Sequence, residues 1–215
     1  DGKPCSNGGI MRSSGAWLCG VHGKKATPDD MKGIELISAD QLQMITAMRD
    51  AVMFHPAARQ IIEAEGHNEV SCRWDLNIDG KPLKCKGRLD GIRPGWSAII
   101  DLKTTDCARR QDFEKKIGEY GYHRQGAYYI DGLAASGFEQ PIEHFALIVV
   151  EKSPPYGVAA YTLKGEALDA GREELRRPIS VYANCERNNY WPGYDSQFED
   201  ITIPAWKYRE IVKAA

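Results

Sequence analysis

The alternation of apolar and polar positions is sharpest between Glu69 and Asp90. Val70, Cys72, Trp74, Leu76 and Ile78 alternate with Glu69, Ser71, Arg73, Asp75 and Asn77 up to Asp79-Gly80, and beyond it Leu83, Cys85, Gly87 and Leu89 alternate with Lys84, Lys86, Arg88 and Asp90. Two period-two runs joined by Asp-Gly predict a β-hairpin with a two-residue turn. That turn fixes the register: Val70 faces Leu89, Trp74 faces Cys85, Leu76 faces Leu83, Asp75 faces Lys84, and Ser71 faces Arg88. Cys72 then lies opposite the small Gly87, and Glu69 opposite Asp90. Two facing carboxylates repel unless a cation lies between them, so Glu69 becomes a candidate metal-site residue.

Helical spacing frames the hairpin. Ser38 and Gln41 form a capping-box pattern ahead of an apolar stripe, Leu42, Ile45, Met48 and Val52, which should end before Pro56; a second short helix covers about 57–64. After the hairpin, 98–104 reads as a third strand and 111–133 as one or two helices broken near Gly118 or Gly121. Residues 144–151 and 157–163 form a strand pair, a long helix covers about 165–188, and the tail with Trp191, Ile201, Ile203 and Trp206 reads as a loop and a closing helix. This order predicts an α/β (α+β) fold with a central mixed β-sheet flanked by helices. Residues 1–37 are Gly- and Ser-rich and read as an irregular lead-in, leaving 38–215 as one domain.

Composition removes whole classes of function. The 215 residues, 42% hydrophobic and 27% charged, suit a globular core and exclude disorder or a disulfide mini-scaffold. The longest apolar runs are a handful of residues, too short to span a bilayer, so no membrane association is expected. Six cysteines without a CxxC pair argue against a zinc ribbon and fit a reducing, cytoplasmic compartment. The chain opens on Asp rather than Met, which leaves room for an element upstream of it. Net charge is −2, yet the segment from Lys81 to Arg124 holds eleven Lys/Arg against six Asp/Glu. Any electrostatic footprint for phosphate therefore lies in this middle third.

Asp90, Asp101 and Lys103 carry the candidate chemistry. On the third strand Asp101 and Lys103 leave the same face, while Ile100 and Leu102 leave the other. Asp on one strand and Asp-x-Lys on the next bring two carboxylates and an ammonium together. Hard oxygen ligands suit Mg2+, a bound metal polarises a phosphate and lowers the pKa of water, and a lysine orients that water. Tyr122, Gln125 and Tyr129 share one face of the following helix, where neutral donors can grip a phosphate or steady the lysine.

GRLDGI (87–92), IIDLKTT (99–105) and YGYHRQGAYY (120–129) resemble the RecB-like branch of the PD-(D/E)xK nucleases, whose marks are Asp, then (D/E)xK, then QxxxY. HPAARQII (55–62), VVEKSPPYGVAAY (149–161), WPGY and IPAW resemble, more narrowly, the exonuclease VIII (RecE-type) group of phage and prophage nucleases. The resemblance spans about 38–210 and implies a restriction-endonuclease-like core. It implies a Mg2+-dependent exonuclease, with Mn2+ able to substitute, acting on ends of linear double-stranded DNA. The enzyme would digest the 5′-ended strand and leave a 3′ overhang for a single-strand annealing protein in the bacterial host cytoplasm, as a homo-oligomer. By motif position, Asp90 and Asp101 would be metal ligands, Leu102 a backbone-carbonyl ligand and Lys103 the catalytic lysine, with Gln125 and Tyr129 matching QxxxY. Arg88, Thr104, Arg109, Arg110, Tyr122 and Arg124 are the candidate DNA contacts.

One departure stands out. The family also uses a histidine on an N-terminal helix as a metal ligand, whereas His22 lies in a Gly/Lys-rich loop and His55 precedes a proline. The ligand then lies upstream of Asp1, or this copy lacks it. Two alternatives accompany the exonuclease reading: a RecB- or Cas4-like endonuclease, disfavoured by the single C-terminal Cys185, and a catalytically impaired DNA-binding homologue.

Overall fold

The computed structural model describes residues 9–12, 17–19, 34–35, 37–194 and 198–214. Within 1–37, expected to be irregular, β1 (Gly9–Arg12), β2 (Trp17–Cys19) and β3 (Ile34–Glu35) form a small antiparallel sheet in the order β2-β1-β3. Then follow α1 (Ala39–Phe54), α2 (Pro56–Glu63), the hairpin β4 (His67–Ile78) and β5 (Lys81–Arg93), and β6 (Ala98–Thr105). The chain continues through α3 (Arg110–Tyr120), α4 (Tyr122–Ala135), β7 (His144–Glu151), β8 (Val158–Leu163), α5 (Glu166–Asn188) and α6 (Ala205–Ala214). It divides into two compact units, residues 1–176 and 177–215, with the boundary inside α5.

The main sheet has the order β4-β5-β6-β7-β8, with β6 and β7 parallel and the other pairs antiparallel. Asp79 and Gly80 both take positive φ, 53° and 77°, as a twisted two-residue hairpin turn demands. The Asp79-Gly80 turn gives the register that apolar matching requires, from Ile78↔Lys81 through Val70↔Leu89. Ser38 accepts from the Gln41 backbone while the Gln41 side chain accepts from Ser38 N–H, closing the capping box of α1. The break between α3 and α4 is at Gly121, which takes φ 70°.

Alternate residues of β6 and β7 feed two cores. Ile99, Phe145, Leu147 and Val149 face Phe113, Ile130 and Leu133 of α3 and α4; Ala98, Ile100, Ala146, Ile148 and Val150 face Val52, Ala58 and Ile61 of α1 and α2. With helices on both faces, β7 is apolar at nearly every position. Helix α4 reaches the sheet because of its glycines: a methyl at Gly126 would lie 2.7 Å from the Phe145 ring, and one at Gly132 would strike Trp74. This close approach lowers the first turns of α4 onto β6.

Arg93, at the end of β5, is 2% exposed and has no carboxylate among its hydrogen-bond partners in the described residues. Its Nε donates to Ile61 O and its Nη2 to Ile62 O, both at 2.9 Å; the remaining donors go to His67 O, Ile92 O and Asn68 Oδ1. All five N–H groups are satisfied. The guanidinium therefore closes the C-terminal carbonyls of α2, where positive charge is favoured, and ties that helix to the hairpin base. Arg93→Met should fold with stability lowered on the order of 3 kcal/mol, because it strands several buried carbonyl acceptors. Denaturant melts would show the loss, and a wild-type midpoint would contradict this role.

Candidate active site

The main sheet splits at the site. β5 pairs with β6 only through Arg93↔Ala98, Ile92↔Ile99 and Gly91↔Ile100. Beyond that point β5 stays with β4, while β6 stays with β7 as far as Thr105↔Glu151. Asp90 and Asp101 are the first positions past the split. The Leu102 N–H, left without a ladder partner on β5, donates to Asp90 Oδ2 at 2.9 Å, so the carboxylate stands in for a strand carbonyl.

The hairpin is irregular at the same level. Leu89 and Ile92 both face the α3/α4 core although they are three apart, so the alternation slips between them. Glu69 takes φ 53° and, with Asp90, drops out of the ladder between Val70↔Leu89 and Asn68↔Gly91. This corrects the expectation that Glu69 shares a cavity with Asp90: its Oε2 accepts from Arg88 Nε at 2.8 Å in an exposed ion pair. Simple alternation missed this because the register is the same on either side and keeps Glu69 level with Asp90, while the positive φ at Glu69 breaks the alternation and its side chain turns to Arg88.

Asp101 is 3% exposed. Its Oδ1 accepts from the Gln125 amide at 3.0 Å, and its Oδ2 meets the Lys103 ammonium with no hydrogen-bond donor aligned on it among the described residues. Burial pushes the Asp101 carboxyl above its ordinary range; Lys103 and Gln125 pull it back, and the nearby charge of Asp90 adds to the rise. The Lys103 ammonium lies 4.8 Å from the centre of the Tyr122 ring, a cation–π contact that fixes its far side. Burial also raises the Tyr122 phenol, helped by Tyr120 and Asp101.

The other candidates are spread around this centre. Leu102 and Thr104 leave the opposite face of β6 and are exposed. Tyr129 packs beside Gly87 and edge-on to Phe145, with ring centres 6.4 Å apart, as part of the core. Arg109 is 3.9 Å from Asp112, Arg110 is bonded to Glu114 at 2.8 Å, and Arg124 is 3.4 Å from Glu174. His55 caps α2, its Nδ1 accepting from Ala58 N–H at 3.2 Å, and His22 lies outside the described residues. Sequence reading passed over Thr105 and Lys116, whose Nζ donates to Thr105 Oγ1 at 2.7 Å, and over the exposed Tyr120. Parity along β6 could have found Thr105, since it shares a face with Asp101 and Lys103.

Among the described residues no three His, Cys, Asp or Glu side chains gather as a ready-made metal cage. The site is still compatible with a divalent metal ion, which can take only one or two carboxylates and fill its shell with water and substrate phosphate. Asp90 and Asp101 would supply those carboxylates, and Asp101 Oδ2 faces the Lys103 ammonium rather than a neutral donor among the described residues.

The five-stranded mixed sheet with flanking helices, opened at a carboxylate pair beside a lysine, has the restriction-endonuclease-like architecture of the PDDEXK class. Residues 22–201 match the family described as PDDEXK-like domain of unknown function (DUF3799), and the chain belongs to that family. Nucleases of the PDDEXK class generally use divalent metal ions. Among solved structures, a candidate exonuclease from Eubacterium rectale superposes with a TM-score of 0.59 at 15% identity, covering 82% of this chain and 67% of that one. Another, SSO0001, reaches a TM-score of 0.40 at 16% identity, covering 73% of this chain and 70% of that one, and supports nothing further. No curated protein matches the sequence.

The Asp101–Gln125 bond yields a prediction. Gln125→Glu would set a second carboxylate against Asp101 and should cost on the order of 1–3 kcal/mol in EDTA, more than Gln125→Ala. Added Mn2+ should recover much of that loss for the Glu variant alone. Thermal melts with and without the ion would check it, and equal responses from both variants would contradict the placement of Gln125 beside a cation site.

Proposed function

We propose that the protein is a metal-dependent exodeoxyribonuclease acting on the ends of linear duplex DNA. The observation that carries this reading is the pairing of buried Asp101 with Lys103 on one face of β6, beside Asp90 at the split in the sheet. Asp90, Asp101 and the Leu102 carbonyl would hold Mg2+, or Mn2+ in its place, which polarises a phosphate and lowers the pKa of a bound water. Gln125 fixes the rotation of the Asp101 carboxylate by donating to one oxygen and leaving the other toward Lys103. Lys103, steadied by the Tyr122 ring, orients the attacking water and offsets charge developing on the phosphate. Asp90, more exposed, faces the solvent from which a phosphodiester arrives.

Digestion of the 5′-ended strand would leave a 3′ overhang for a single-strand annealing protein, with the enzyme a homo-oligomer in the bacterial cytoplasm. Motif resemblance supports these finer features. A second reading, a DNA-binding homologue with impaired catalysis, draws support from the capping role of His55 and the lack of a third ligand side chain among the described residues.

End-labelled linear and covalently closed circular duplexes, incubated with and without Mg2+, test the proposal. Linear DNA should be degraded only with metal, and circular DNA should survive. Asp101→Ala and Lys103→Ala should each lower cleavage on the order of 10²-fold or more while DNA binding persists. Binding without cleavage by the wild type would favour the impaired homologue, and full activity in either variant would refute the assignment.

A further inference from the structure

We propose that α3 carries a nucleotide subsite in which Lys116 grips a backbone phosphate adjacent to the one being cleaved and Tyr120 stacks on the neighbouring base. The subsite rests on the nuclease reading and gives that site its hold on a single DNA strand. The face of β6 bearing Asp101 and Lys103 continues to Thr105, roughly 6.6 Å beyond Lys103 along the strand. Successive phosphates of one DNA strand are similarly spaced.

Thr105 is buried. Its hydroxyl donates to the Cys107 carbonyl at 3.1 Å and accepts from Lys116 Nζ at 2.7 Å. An ammonium has three donors, and a neutral hydroxyl takes only one of them. The Lys116 ion pair with Asp106, a side chain 82% exposed, spans 3.7 Å, longer than a hydrogen bond. Arg88 and Arg110, by contrast, are bonded to carboxylates at 2.8 Å. The Lys116 side chain is 21% exposed, so its charge is positioned before any ligand arrives and little ordering is required on binding.

Tyr120 follows Lys116 by one helical turn and shares its face of α3. Its ring is the outermost of a row: Tyr120 lies 5.7 Å from Tyr122, Tyr122 lies 5.8 Å from Phe113, and Phe113 lies 5.5 Å from Tyr161. Phe113 is fully buried, whereas Tyr120 is 59% exposed. An exposed ring backed by packed rings, next to a fixed cation, suits an unpaired base and its phosphate, because every base offers a π-face. Tyr122 links the subsite to the reaction centre, since the same ring covers Lys103.

Binding of short single-stranded and end-frayed duplex oligonucleotides in EDTA, where cleavage is arrested, tests the subsite. One neutral methylphosphonate is stepped along the strand, and 2-aminopurine marks the base beside it. Wild type should lose affinity when one particular linkage is neutral. Lys116→Met should bind roughly ten-fold more weakly, ignore that linkage while still sensing others, and show a log affinity against log salt slope smaller by about 0.7–0.9. Tyr120→Leu should lose quenching of 2-aminopurine, and Tyr120→Trp should keep it. Lys116→Gln replaces the Met variant if that one fails to fold. A methylphosphonate profile in the Lys116 variant identical to wild type, or unaltered quenching in Tyr120→Leu, overturns the subsite. Cleavage is scored separately: a wild type that shows the binding signature but cuts nothing defeats the nuclease reading and leaves the subsite standing, whereas one that cuts while both variants bind unchanged defeats the subsite alone.

Discussion

The candidate site depends on the place where β5 parts from β6. Three paired positions hold the two strands together, and past Gly91↔Ile100 the hairpin leaves with β4 while β6 continues along β7. A continuous sheet would fill the space at Asp101 with ladder hydrogen bonds and a neighbouring side chain. The split leaves backbone donors needing partners and room for polar groups between strands. Asp90 meets the first of these needs by accepting from Leu102 N–H, so one carboxylate both seals the end of the ladder and borders the opening.

Holding that split open requires anchors on each side. On one side, the buried Arg93 guanidinium binds the end of α2 to the base of the hairpin, three residues from Asp90. Among the described residues its charge is compensated by carbonyl dipoles, which is tolerable because every N–H is bonded. On the other side, Gly126 and Gly132 let α4 settle on Phe145 and Trp74, and that depth brings Gln125 within reach of Asp101. Packing on one face and hydrogen bonding on the other thus set the distance between the two carboxylates.

The electrostatics of the pocket follow from burial. An isolated carboxylate as enclosed as Asp101 would be driven toward its neutral form, and Lys103 opposes that drive with a full charge while Gln125 does so with a dipole. The lysine in turn is held between that carboxylate and the Tyr122 ring, which ties it to the aromatic row running from Tyr120 to Tyr161. Carboxylate, ammonium and aromatic face are therefore mutually positioned, and a change at one is felt at the others.

From Ser38 onward the sequence by itself determined the elements and much of the order in which they pair, whereas the small sheet of β1, β2 and β3 left no such pattern. Alternation and the Asp-Gly turn fix the hairpin register because a one-residue slip would expose Trp74 and Leu89, and Ser38 with Gln41 marks the start of α1 because those side chains satisfy its first amides. The common face of Asp101 and Lys103 follows from the two-residue period of a strand. Only the tertiary structure decided where the alternation fails: Glu69 takes a positive φ and turns to Arg88 at the level where β5 leaves β6, a consequence of strands diverging that no local pattern records. The partners of Arg93, the meeting of Gln125 with Asp101 and the seating of Lys116 on Thr105 also belong to the fold, since each joins separate elements whose approach is set by packing.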